Sequence, residues 1–154
     1  PYGVQTVTAG YSVQFDDGVL LEVLGPYETP ELTDSMDAHA LLTRVSYRDV
    51  SFLFTGSLSA AGQGAILERG GYPLATVMQI PQHGTVRSIH EEFMAQAQPQ
   101  VYLLQSDRTN LRGDPNADTL ALLDETNPLL RTDEQGVIYL WTDGARLWSR
   151  QPPR

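Results

Sequence analysis

Ala75-Thr76-Val77-Met78-Gln79-Ile80-Pro81-Gln82-His83-Gly84-Thr85 is the stretch whose reading decides the fold. An apolar run bounded by turn residues marks a strand covered on both faces. Pro81 ends its ladder, because proline has no amide hydrogen to donate. Gly84 lets the backbone turn tightly, and Thr85 is placed to cap a following helix. In an α/β sheet, polar groups beyond the carboxyl end of a strand are where chemistry usually sits. Gln82 and His83 are therefore the first candidates for a site.

Working outward, residues 86–96 read as a helix with Ile89, Phe93, Met94 and Ala97 on its apolar face. A short strand over 101–104 ends in Gln105-Ser106-Asp107, and a polar loop over 108–114 follows. Asp114 is expected to cap the next helix, with Pro115 in its first position and Ala117, Leu120 and Leu123 on one face. Upstream, residues 57–69 read as a helix with Leu58, Ala61, Ala65 and Ile66 roughly on one face. Glycines within it each cost up to ~1 kcal/mol against alanine. Ser57 and Asp114 thus have a plain reading as helix caps, and His83 as a hydrogen-bonding loop residue.

Strands are expected at 39–47 and 50–54, joined by a tight turn at Arg48-Asp49. A hairpin over 11–15 and 19–24 turns at Asp16-Asp17-Gly18, and an acidic loop covers 27–37. The end of the chain reads as a meander of three strands, 129–132, 137–141 and 145–148. The order is hairpin, hairpin, β-α-β-α-β-α, meander. This is an α/β (α+β) chain, a mixed sheet with flanking helices and parallel neighbours in its middle. Parallel strands would bring Ser57, Gln82 with His83, and Ser106 with Asp107 to one edge. Asn110 and Asp114 would overhang that edge.

The length of 154 residues suits one domain, taken as 1–150, with 151–154 a disordered tail. The formal charge of −9, with arginine as every basic residue, disfavours non-specific binding to phosphate backbones. There is no cysteine, which excludes disulfides and thiolate metal sites. No apolar run approaches the roughly 20 residues that span a bilayer. The chain opens without methionine and reads as a piece of a longer protein.

A catalytic zinc normally takes three protein ligands. The three histidines are His39, His83 and His90, and none forms a His-x-His pair. Of these, His83 is the best placed, with Asp107 or Asp114 as partners. No Gly-x-Ser-x-Gly elbow or phosphate-binding glycine loop is present. Arg87, Arg108 and Arg112, with Asn110, form a candidate anion or DNA patch; the plain alternative is solvated surface charge.

These residues resemble the carboxyl-terminal part of the metallo-β-lactamase-like domain of ComEC-type DNA-uptake (competence) proteins. Where that family shows Thr-Gly-Asp after a Phe-Leu-Phe-like strand, this chain has Phe52-Leu53-Phe54-Thr55-Gly56-Ser57. Where it shows His-His-Gly-Ser, the chain has Gln82-His83-Gly84-Thr85. Its asparagine loop ending Gly-His-Pro corresponds to Asn110-Leu111-Arg112-Gly113-Asp114-Pro115. Its Arg-Thr-Asp-x-x-Gly is met in full by Arg131-Thr132-Asp133-Glu134-Gln135-Gly136. Asp16-Asp17-Gly18 and Val23-Leu24-Gly25-Pro26 also resemble the family, so the likeness runs from about Gly10 to Trp148.

The resemblance implies roughly the second half of an αββα sandwich. It implies a soluble extracytoplasmic domain of a bacterial inner-membrane protein, attached to a channel that passes single-stranded DNA. The family would use zinc or manganese. Here its metal-binding aspartate aligns with Ser57, its histidine with Gln82 and the Gly-His-Pro histidine with Asp114. Its His-x-His-x-Asp motif is not in the chain. A hydroxyl or a neutral amide is a poor ligand beside the carboxylate or imidazole it replaces. The expectation is a metal-free, non-catalytic domain with no cofactor. A metal-dependent nuclease completed by a missing amino-terminal half, and a module binding an anion or single-stranded DNA, are the alternatives. Half a sandwich would bare one sheet face, so a rearranged core or a homodimer is also expected.

Overall fold

A computed structural model describes residues 5–28, 35–109, 111–123 and 125–150. Asn110 and the tail at 151–154 lie outside the described residues, as does most of the acidic loop. The architecture is mixed α/β, a seven-stranded sheet with helices against it and a separate two-stranded sheet.

The first four strands are β1 (Ser12–Gln14), β2 (Val19–Gly25), β3 (Leu42–Tyr47) and β4 (Val50–Phe54), each antiparallel to the next. Gly18 turns the first hairpin at φ +91, and the Val19 amide donates to Asp17 Oδ1 at 3.1 Å. Next come α1 (Ala60–Glu68), β5 (Val77–Gln79), α2 (Glu91–Ala97), β6 (Val101–Leu104), α3 (Ala117–Ala121) and β7 (Leu129–Arg131). Strands β4 to β7 are parallel neighbours in sequence order. The helical connections supply the length that a parallel crossover needs.

Cross-strand partners share a face. Leu53, Met78, Tyr102 and Leu129 are paired in one row, and the first three are buried in the cluster that holds Ile66, Phe93 and Met94. A second row, Leu21, Val45, Phe52, Val77 and Val101, faces the other way. The hairpin of β8 (Tyr139–Thr142) and β9 (Leu147–Arg150) lies at that second face. Its turn docks through the Asp49 amide on the Gly144 carbonyl, 2.9 Å. Thr142 borders a cavity with Val45, Tyr47 and Phe52.

Several expected boundaries move. The strand expected from His39 starts at Leu42, because residues Met36–His39 close a 3-10 turn. Helix α1 is capped by Ser59, not Ser57: Ser59 Oγ accepts from the Gly62 amide, and its own amide donates to Asp37 O at 2.8 Å. Ala61 and Ala65 face solvent, whereas Gly62, Gln63 and Ile66 face inward. Gly62 is there because a Cβ would collide with the Ala38 carbonyl oxygen. Gln63 donates to the Leu58 and Ser88 carbonyls (3.0 and 2.7 Å) and accepts from the His90 amide (2.9 Å). A fully buried amide of this kind is tolerated only because it is bonded.

Thr85 does not cap α2. Arg87 takes φ +57, which breaks any helix begun at Val86, and α2 starts at Glu91. Asn116 caps α3 in place of Asp114, its Oδ1 accepting from the Asp118 amide at 2.9 Å. Pro115 therefore precedes the cap. The expected terminal meander divides: β7 joins the main sheet, Thr132–Gln135 form a helical turn α4, and only β8 and β9 pair with each other.

Candidate functional site at the carboxyl edge

The four parallel strands end along one edge, and their ends are tied by a seam of hydrogen bonds. Gln79, the last residue of β5, uses its Oε1 to accept from the amides of Thr55 and Gly56, each at 3.2 Å. Its carbonyl accepts from Thr55 Oγ1 at 2.9 Å. Its Nε2 donates to Gln105 Oε1 at 2.6 Å. Just after β6, the Ser106 amide donates to Thr132 Oγ1 (2.9 Å), and that hydroxyl donates back to Ser106 O (2.8 Å). Side chains thus continue the ladder past the last backbone pairs. Every group named in this seam is a neutral amide or hydroxyl.

At the tip after β5, Gln82 (φ 49), His83 (φ 57) and Gly84 (φ 74) follow one another in the left-handed region. Such a conformation costs ~1–2 kcal/mol per non-glycine residue. The surroundings hold it: the Gln82 amide donates to Gly56 O at 2.9 Å, and the Asn116 amide to Gly84 O at 2.8 Å. A Cβ on Gly84 would lie 2.8 Å from Pro115 Cβ, so only glycine lets the two loops meet there. Residues held in strained backbone often mark functional sites.

The structure separates the candidates into two groups. His83, Ser106, Asp107, Arg112 and Asp114 line one cleft of about 630 Å3, together with Gln105 and Thr132. Ser57 and Gln82 do not line it. Ser57 is exposed, and the Gln82 amide group is 3.4 Å from Asp37 Oδ2, on the far side of the tip. The candidates stand along the edge where the parallel strands end, but they do not share one cleft. Asp37 was not foreseen at this edge, nor were Gln79, Gln105 and Thr132. Nothing periodic in the sequence signals a neutral side chain that bonds across strand ends.

Within the cleft the groups are engaged. His83 Nδ1 lies 2.9 Å from Gln105 O, not on Asp107 or Asp114. Asp107 accepts from the Thr109 amide and hydroxyl (3.1 and 2.8 Å), which hold its carboxyl below the usual carboxylate range. Ser106 Oγ donates to Asp114 O at 3.0 Å. Arg108 Nε donates to Asp133 O at 3.0 Å, and Arg87 is exposed outside the cleft, so of the candidate arginines Arg112 is the one that lines it.

The fully matched motif also acquires a structural role. Arg131 grips Asp133 through Nε and Nη2 (3.2 and 2.6 Å) and reaches Glu134 at 3.0 Å. The bond from Arg131 is the main cause holding the Asp133 carboxyl low. Thr132 pins Ser106, and Gly136 ends the turn at φ +74. Among the described residues, no three His, Asp or Glu side chains are grouped to hold a metal ion. Ser57 and Gln82 offer a hydroxyl and a neutral amide, poor ligands for zinc or manganese, and they lie outside the cleft that His83 and Asp114 line.

No family model matches the chain. It is 28% identical over 152 residues to ComE operon protein 3 of Bacillus subtilis (strain 168). That similarity covers 97% of this chain and 19% of the relative, so the chain spans about a fifth of the relative's length.

Proposed function

We propose that this chain is a metal-free, non-catalytic domain of a DNA-uptake (competence) protein, with an accessory or structural role in DNA internalisation. The observation that carries the biological setting is the 28% identity to ComE operon protein 3 along nearly the whole chain. The five quoted matches in their family order support a metallo-β-lactamase-like origin. The neutral, self-satisfied seam supports the loss of catalysis. In this reading the domain sits on the extracytoplasmic side of the inner membrane, joined to a channel portion elsewhere in its parent. Among the described residues no helix is long and apolar enough to cross a membrane.

A second reading keeps a metal-dependent nuclease completed by a further part of the parent. It is favoured by His83, Asp107 and Asp114 lining one cleft at the edge where such chemistry would occur. Uptake of labelled DNA by cells separates the two. Deleting the domain should abolish uptake, whereas His83→Ala with Asp114→Asn should leave it within about twofold. Loss of uptake in the double variant equal to the deletion would overturn the non-catalytic reading.

A further inference from the structure

The hairpin of β8 and β9 carries a feature that the carboxyl edge does not use. Its register pairs Tyr139 with Arg150 and Trp141 with Trp148. Side chains two apart on a strand share a face, so these four residues form one side of the hairpin. The other side presents Leu140, Thr142 and Leu147, all half-buried, and Thr142 borders the main sheet. The aromatic side faces water: Tyr139 is 55% exposed, Trp141 46% and Trp148 37%. The two indoles are stacked, with centroids 6.4 Å apart and planes 18° apart. They are the chain's two tryptophans.

Large exposed aromatics on a rigid ladder offer flat apolar faces at low ordering cost. The local charge differs from that of the whole chain. Residues 137–150 hold Arg146 and Arg150 against Asp143, a balance of +1, while the chain carries −9. The Asp143 carboxylate is turned into its own loop, accepting from the Ala145 and Arg146 amides at 2.9 and 2.8 Å. Arg48 stands beside the same turn, its Nη1 3.4 Å from Asp143 O. Aromatic faces beside arginines are the combination that binds single-stranded nucleic acid, by stacking bases and holding phosphates.

We infer that the Tyr139, Trp141, Trp148 and Arg150 face is a stacking platform for the bases of single-stranded DNA. The inference rests on the DNA-uptake reading and gives it a contact surface away from the carboxyl edge. Duplex DNA buries its base faces, so the platform selects the single strand.

The test uses the full chain at low salt, with a labelled oligothymidylate of about 12 nucleotides. Anisotropy reads affinity, and intrinsic tryptophan emission reads whether the platform is touched. The expected result is quenched emission on binding, with binding to an abasic oligonucleotide and to duplex weaker by at least about tenfold. Trp148→Ala should weaken binding about tenfold, and Trp148→Phe by much less. Binding with unchanged emission, or equal affinity in the Trp141→Ala/Trp148→Ala variant, would overturn the platform while leaving a DNA-binding domain. No binding of any DNA at low salt would overturn the platform and count against the DNA-uptake reading as well. Emission that shifts with protein concentration alone, with doubled mass in light scattering, would assign the face to a second copy and overturn the inference.

Discussion

The ring of His83 is tied to the backbone of Gln105, Nδ1 to carbonyl oxygen at 2.9 Å. The contact links the strained tip after β5 to the residue that follows β6. The carbonyl oxygen can only accept, so Nδ1 donates there and the bond fixes the orientation of the ring. The histidine that looked most like a ligand is thereby engaged in holding two strand ends together.

This arrangement separates two substitutions at one position. His83→Ala loses the hydrogen bond, worth ~1 kcal/mol, and keeps a side chain at positive φ. His83→Gly loses the same bond but relieves ~1–2 kcal/mol of left-handed strain, less a smaller entropy cost. In urea unfolding, the glycine variant should be the more stable of the two by about 1 kcal/mol. An alanine variant equal to or more stable than the glycine variant would show that the tip is not strained.

Gly62 tests the packing of α1. By helix propensity alone, Gly62→Ala should stabilise by ~1 kcal/mol. The Ala38 carbonyl stands where the new Cβ would go, and overpacking of this kind costs ~1–3 kcal/mol. Because the neighbour is backbone, the net effect should be a loss of up to about 2 kcal/mol in unfolding free energy. A gain would mean that α1 and the 3-10 turn before β3 do not touch as described.

The Arg131–Asp133 pair gives a pH dependence with a definite sign. The Asp133 carboxyl is held below its ordinary 3.8, chiefly by the bond from Arg131. A depressed folded value means that the contribution is fully present above the ordinary value and is lost as pH falls through the folded one. Asp133→Asn should cost about 1 kcal/mol at neutral pH, and the difference from the parent chain should close as the pH drops below about 4. A difference that stays constant down to pH 2 would contradict the assignment.

The sheet was largely readable from local patterns. Alternation around Asp16-Asp17-Gly18 and the Arg48-Asp49 turn marked β1 to β4, and the helical crossovers implied the parallel run of β4 to β6. The helix starts were not readable, because several capping residues stand in a row. Ser57 and Ser59, or Asp114 and Asn116, are equal candidates until tertiary bonds choose: Asp37 O takes the Ser59 amide, and Gly84 O takes the Asn116 amide. The place of β7 was missed because Asp133-Glu134-Gln135-Gly136 looks like a hairpin turn. It is a helical turn that follows β7, and the crossover through α3 is what lets β7 run parallel to β6. The edge itself was legible as a location, while its bonding was not, since Gln79 and Gln105 carry no charge or period to reveal their pairing.

The proposed function places no metal at this edge. Calorimetric titration of the purified chain with zinc and with manganese, paired with a nuclease assay on single-stranded DNA with and without chelator, tests it most directly. The account predicts no stoichiometric binding of either ion and no chelator-sensitive cleavage. One equivalent of metal bound to the chain, with cleavage abolished by chelation and by His83→Ala, would contradict it.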